Sequence, residues 1–324
     1  MKKLNLMMGV MLTGAALAFS AVTADAAKIA VVGGSNDDAF WNKIKKGLDD
    51  ARPGVEANGG SVNYLRLVNY DNFAPDVVQL IRTAISQKVD GLVIPDWVPE
   101  AEDPAIKDAM KAGIKVILMN AGGGDKAKEL GAINYVGNEE YPAGLAGGDY
   151  FAKHGMKNVL CINTLPGTAN IEARCKGIKD SMEKAGVKSH QLPLPSTSFG
   201  NATAVAEAIK AELLKDASID GVITISAGDA DSAAIGIKQA DKVKTVGLAS
   251  FDMNESNLAR IKDGTQVFCI DQQPYLQGYL ATSLLASSID FGTSLPTFPV
   301  LTGPGIVDSS NIVATLTGVS KGAR

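Results

Sequence analysis

Lys28-Ile-Ala-Val-Val-Gly-Gly-Ser-Asn-Asp-Asp-Ala-Phe-Trp41 decides the fold. Its first seven residues, an apolar run closed by two glycines, read as a buried strand, and Phe40 onward reads as a helix. Glycines after a first strand invite a dinucleotide-binding reading. The Gly-x-Gly-x-x-Gly spacing is absent, however, and Asp37 and Asp38 stand where a pyrophosphate would dock on the helix N-terminus. Two carboxylates there repel phosphate. A helix cap accounts for one of them. Phe40 and Trp41 have two readings. Either they pack in the core, or they stand at a cleft rim, where an aromatic face covers the C–H face of a pyranose and carboxylates accept from its hydroxyls.

Upstream of this strand, residues 1–26 read as an export signal. Lys2 and Lys3 form a positive start, Leu4 to Phe19 is almost wholly apolar, and Ala24-Asp25-Ala26 has the small-x-small cleavage pattern. About 298 residues follow, enough for two domains. Losing Lys2, Lys3 and Asp25 takes the formal charge from −4 to −5, which speaks against nucleic acid or an anionic membrane as partner. The first cysteine is Cys161, so no lipid acceptor stands near the cleavage site. The expected product is a monomer free in a Gram-negative periplasm.

Downstream, strand-like runs at 28–34, 61–68, 90–95, 114–120, 157–163, 219–226, 243–249 and 265–271 alternate with helical patterns. Trp41, Ile44, Leu48 and Ala51 share one helical face; Val77, Leu80, Ile81, Ala84 and Ile85 share another. Such alternation predicts an α/β fold with parallel sheets. It falls into two similar series, so two doubly wound, Rossmann-like lobes are expected, with a cleft at the carboxyl ends of their strands. Cys161 closes one strand and Cys175 lies near the start of the next helix, close enough for a bridge in an oxidising compartment. Three small buried residues is the other reading, and Cys269 is expected as a buried thiol in a strand.

The strand, the Asp-x-Phe-Trp run and the amphipathic helix resemble the opening of type I periplasmic solute-binding proteins, the ribose-binding-like family that serves ABC importers. Asp90-Gly-Leu-Val-Ile-Pro-Asp96 and Gly113-Ile-Lys-Val-Ile-Leu-Met-Asn120 are similar to that family's third and fourth strands. Tyr135-Val-Gly-Asn-Glu-Glu-Tyr-Pro-Ala-Gly144 looks like its first hinge crossing. Gly167-Thr-Ala-Asn-Ile-Glu-Ala-Arg174 resembles the loop and helix that give an arginine to the sugar. Ser250-Phe-Asp-Met-Asn254 and Asp271-Gln-Gln-Pro-Tyr-Leu-Gln-Gly-Tyr279 match the second-lobe aspartate and the hinge glutamine.

By position, the resemblance implies ligand contacts from Asp38, Phe40, Trp41, Asp96 and Asn120 in the first lobe. It implies Arg174, Phe199, Asp252 and Gln272 in the second, with Asp229 in a loop that matches poorly. It further implies lobes of 27–137 plus 273–302 and of 138–272 plus 303–324, joined by three hinge crossings. Asp38 replaces an amide residue of the ribose-binding pattern, Asn120 an aspartate and Ala121 an arginine, so a sugar other than ribose, a polyol or a cyclitol is expected. Two of these residues keep a plainer alternative: Arg174 as a surface charge, and Asp252 as the cap of a helix starting near Met253.

The expected partners are that small ligand, an inner-membrane ABC permease and, if the protein also signals, a chemoreceptor. No cofactor and no metal are expected. The rival readings are an amino-sugar or inosamine binder, which the three aspartates would suit; a sensory binding protein; and an exported glycosidase. Catalysis has little support. His154 and His190 stand in no catalytic context, and neither Gly-x-Ser-x-Gly nor His-Glu-x-x-His occurs. A repressor core would need a DNA-reading helix-turn-helix where the leader stands.

Overall fold

A computed structural model describes residues 26–324; the export-signal expectation falls on residues that precede Ala26 and so lies outside the described residues. The first series runs β1 (Lys28–Gly33), α1 (Ala39–Ala57), β2 (Ser61–Arg66), α2 (Phe73–Ser86), β3 (Gly91–Ile94), α3 (Pro99–Lys111), β4 (Lys115–Met119), α4 (Gly123–Leu130) and β5 (Asn134–Gly137). The second begins with α5 (Glu140–Lys153), β6 (Asn158–Asn163), α6 (Ala169–Lys184), β7 (Lys188–Pro193), α7 (Ala202–Lys215) and β8 (Gly221–Thr224). It continues with α8 (Ala227–Gln239), β9 (Gly247–Phe251), α9 (Glu255–Asp263) and β10 (Phe268–Asp271). The chain ends with α10 (Pro274–Asp290), β11 (Val300–Leu301), β12 (Gly305–Val307) and α11 (Val313–Ser320).

Two six-stranded sheets result, ordered β11-β5-β4-β3-β1-β2 and β12-β10-β9-β8-β6-β7. The first is parallel throughout; in the second, β12 runs antiparallel to β10. Helices cover both faces, so β3, β6 and β10 are buried at every position instead of alternating. The two sheets repeat one another: β1, β3, β4 and β5 correspond to β6, β8, β9 and β10. In each, the strand order reverses beside the first strand, and the crevice at the strand ends faces the other lobe.

Four sequence expectations are corrected here. Asn134–Gly137 is a sheet strand before the hinge, too short for periodicity to reveal. Lys188–Pro193, with His190 in its middle, is an edge strand outside the runs expected above; edge position lets polar residues reach solvent. The strand expected at 243–249 starts four residues later because Lys242 to Thr245 form a turn. The helix expected near Met253 begins at Glu255, with Asn254 as its cap.

Glycines fix the helices that carry the site. A Cβ on Gly47 would lie 2.0 Å from the Tyr275 carbonyl oxygen, and one on Gly278 2.1 Å from that of Ile44. Gly144 and Gly177 do the same for α5 and α6, at 2.2 Å from the Arg174 oxygen and 2.3 Å from that of Tyr141. Glycine inside a helix costs about 1 kcal/mol relative to alanine; here it is what allows α1 on α10, and α5 on α6, to touch backbone to backbone. A disulfide joins Cys161 at β6 to Cys175 in α6, with Cα atoms 5.7 Å apart, and Cys269 is a buried free thiol. Three connections pass side by side between the lobes. Thr302 ties them, donating its N–H to Gly137 O (2.8 Å) and its hydroxyl to Gln272 O (2.7 Å).

Candidate functional site

Between the strand ends of the two sheets lies a small cavity, with about 50 Å³ of free volume, lined by residues of both lobes. Both tryptophans of the chain line it, with Phe40, Tyr70, Phe73 and Phe199. The rings brace one another edge to face. Trp41 lies 5.4 Å from Phe40 and 5.3 Å from Trp97, and Tyr70 meets Phe199 of the other lobe at 4.9 Å. The lobes also join through backbone and charge. Ala169 N–H donates to Trp97 O at 2.8 Å, and Lys43 Nζ donates to Met253 O at 2.7 Å.

Asp38 caps α1, taking the Phe40 N–H on Oδ1 (3.0 Å) and the Tyr70 hydroxyl on Oδ2 (2.8 Å). Trp41 Nε1–H in turn donates to that hydroxyl at 3.1 Å. Asp38 is thus both the cap of α1 and part of the cavity wall. Likewise Trp41 is buried in the core and still presents a face to the cavity. Burial raises the Asp38 pKa, against the pull of its hydrogen bonds to Tyr70 and Phe40.

Asn120 follows β4, and Asp252 occupies the equivalent position after β9. Each holds a left-handed φ, 67° and 62°. Each donates its N–H to the neighbouring strand, Asn120 to Val136 O (3.1 Å) and Asp252 to Ile270 O (2.8 Å). That conformation is strained for a non-glycine residue, and in both lobes it turns a polar side chain into the cavity wall. Gln272 at the hinge links the two. Its Oε1 accepts from Asn120 Nδ2 (3.3 Å) and its Nε2 donates to Asp252 Oδ1 (2.9 Å). Burial lifts the Asp252 pKa to about 7, opposed by the charges of Arg174 and Lys43. Asp252 does not cap α9; Asn254 does.

Arg174 is not a surface charge. It is 3% exposed and lines the cavity. Its Nε and Nη2 grip Glu140 at 2.7 and 2.8 Å, Nη1 donates to Ile225 O at 2.9 Å, and the guanidinium lies 4.4 Å over the Phe251 ring. Close by, Asn170 Oδ1 is buried at the cavity without a hydrogen-bond partner, an acceptor that a ligand hydroxyl could use.

Two expected residues lie elsewhere. Asp96 is wholly buried and is not part of the cavity wall. Trp97, the next residue, lines the cavity instead, and both oxygens of the buried Asp96 carboxyl lack a hydrogen-bond partner. Burial, and then Asp103, push its pKa up to about 7. Glu102 beside it accepts the Trp97 and Val98 N–H groups, and burial followed by Asp96 lifts it to about 8. Asp229 lines an adjoining chamber and accepts from Thr164 Oγ1 at 2.8 Å.

Sequence reasoning missed Tyr70, Phe73, Trp97, Asn170 and Glu140. Trp97 carried a usable signal, since it stands one residue beyond Asp96 in a strand-end loop. Among the described residues, no group of three His, Cys, Asp or Glu side chains could hold a metal ion, and no helix is long and apolar enough to cross a membrane.

Comparison with known proteins agrees with this geometry. Residues 29–293 match the family described as periplasmic binding protein domain. A xylose/arabinose-binding protein, XylF, of Sulfolobus acidocaldarius is 27% identical over 250 residues, covering 73% of this chain and 61% of that protein. A D-ribose/D-allose-binding protein of Pseudomonas aeruginosa is 30% identical over 205 residues, covering 60% of this chain and 61% of that one. The chain thus spans about three fifths of the length of these curated relatives. Among solved structures, a carbohydrate transporter of Acidothermus cellulolyticus in complex with myo-inositol superposes with a TM-score of 0.83 at 34% identity. That match covers 92% of this chain and 99% of the other.

Proposed function

The chain belongs to the periplasmic binding protein family, and from that premise we propose that it captures a small polyhydroxylated ring, a sugar or a cyclitol, between its lobes. Export to the periplasm and delivery to an ABC permease complete the reading. The observation that carries it is the lining of the cavity between the lobes, walled by aromatic side chains and edged by polar groups from both lobes. Ring C–H faces pack against Trp41, Trp97 and Phe40, while hydroxyls meet Asp38, Asn120, Asn170, Arg174 and Asp252. A ligand bridging both lobes favours the closed arrangement over an open one, the population shift on which such capture depends. Micromolar affinity needs about −8 kcal/mol, within reach of several charge-assisted hydrogen bonds and one stacked face.

Binding without chemistry fits the side chains present. Neither His154 nor His190 lines the cavity. The cavity-wall carboxylates of Asp38 and Asp252 are held by hydrogen bonds from Tyr70 and Gln272. The myo-inositol complex of the Acidothermus protein makes myo-inositol the first compound to try. A thermal-shift panel of pentoses, hexoses and inositols tests the proposal, since a ligand at 100 times its Kd adds about 2.7 kcal/mol of stability. A panel in which no neutral polyol raises the melting temperature would defeat it.

A further inference from the structure

Arg174 is the one cation in the cavity wall among the described residues, and a guanidinium in a binding cleft is ordinarily a seat for a carboxylate or phosphate. Here that seat is taken. The Nε/Nη2 edge, which receives an oxyanion side-on, already holds both oxygens of Glu140, at 2.7 and 2.8 Å. Glu140 is itself fixed. It is the first residue of α5, where the helix N-terminus favours a negative charge, and it takes a further hydrogen bond from Asn138 Nδ2 at 3.1 Å. Both partners are buried. Of the five guanidinium N–H groups, three are spent on Glu140 and Ile225 O. A ligand meets two remaining donors whose charge is cancelled directly behind them.

The rest of the wall deepens the effect. Asp38 and Asp252 are its other charged side chains, and both are acids. Lys43, whose charge acts on both of these carboxyls, is turned to the Met253 carbonyl and is not part of this wall. Resting on the polyol reading above, we propose that Glu140 is a specificity-determining residue. By occupying the bidentate seat of Arg174 it makes the site accept uncharged polyols and reject their acidic counterparts, uronates and cyclitol or sugar phosphates. Arg174 then works as a rigid pair of neutral-ligand donors and not as an anion trap. Glu140 does not line the cavity and acts through Arg174.

The test is calorimetry on the mature chain with matched pairs: D-glucose and D-glucuronate, D-galactose and D-galacturonate, myo-inositol and myo-inositol 1-phosphate. The wild type is expected to bind at least one neutral member, with its acidic partner at least a hundredfold weaker. Glu140→Gln keeps the shape but frees the guanidinium charge, and is expected to narrow that ratio at least tenfold by gaining affinity for the acid. A purely structural role would weaken both members by one common factor, and that result overturns the proposal. The wild-type ratio serves as a test without any variant, should Glu140→Gln not fold: an acidic partner within tenfold of its neutral counterpart overturns the inference and leaves the polyol reading standing. Binding of no neutral member overturns the polyol reading and the inference together.

Discussion

Replacing Trp41 with alanine should damage stability and binding separately, because the ring serves both. Trp41 is 3% exposed, so truncation opens a cavity in the first lobe; large aromatic-to-alanine changes in cores cost about 3–5 kcal/mol. Two edge-to-face contacts, with Phe40 and Trp97, vanish with it. So does the indole N–H bond to Tyr70, the residue that steadies Asp38. On the binding side the ligand loses one aromatic face, worth about 1–2 kcal/mol, together with a fixed Asp38. Affinity should fall at least tenfold. Trp41→Phe keeps a face but loses the hydrogen bond and part of the buried ring, so it should cost less stability than alanine, about 1–3 kcal/mol, and only a few-fold in affinity. Urea unfolding of the ligand-free protein gives the first quantity and calorimetry at a temperature where the variant is folded gives the second. Affinity within twofold of wild type for Trp41→Ala would show that no ligand rests on this ring.

Lys43→Met removes a contact made only across the lobes. Ligand release should speed up severalfold with association little changed, and an unaltered dissociation rate in stopped-flow fluorescence would show the contact to be idle. Burial raises Asp96 and Asp252 to about 7 and Glu102 to about 8. Between their unfolded values near 4 and these, the native state holds more protons than the unfolded chain, so stability of the ligand-free protein falls as pH rises. Its melting temperature should therefore be lower at pH 8 than at pH 5, by about 2–4 °C per kcal/mol at this size; the reverse order would contradict the burial of these acids. The Cys161–Cys175 bridge closes a loop with a separation of 14 residues, worth about 3 kcal/mol in the chain-entropy model. The double serine variant should lose about that much, and thiol titration of the denatured, unreduced protein should find one free thiol. Finding three would rule the bridge out.

The parts of this molecule legible in the sequence are those governed by local pattern or by a recurring family position. The run from Lys28 to Trp41 carried strand, cap and helix in order, and Asp38, Asn120 and Asp252 follow strand ends where open sheets bind ligands, with Arg174 in the helix after β6. What stayed hidden depends on partners distant in the chain. Nothing near Arg174 announces that Glu140, 34 residues earlier, will neutralise it, and the charge balance of the cleft changes with that one contact. Asp96 stands at the expected strand end, yet its bulky neighbour Trp97 takes the cavity wall and turns the carboxyl inward. Tyr70 lies in the loop after the edge strand β2 and Phe73 opens α2, with no spacing to mark either. The short strand Asn134–Gly137 and the half-polar Lys188–Pro193 fall below what periodicity resolves.

The central claim is that a neutral polyol is held between the lobes, and tryptophan fluorescence tests it most directly. The chain has two tryptophans, and both line the same cavity. Titrating the protein with whichever neutral sugar or inositol raises its melting temperature most should give a saturable, one-to-one change in tryptophan emission, with the same Kd as calorimetry. A ligand that stabilises the protein and binds in the calorimeter, yet leaves the emission of both tryptophans untouched, would place the binding site elsewhere and contradict the account.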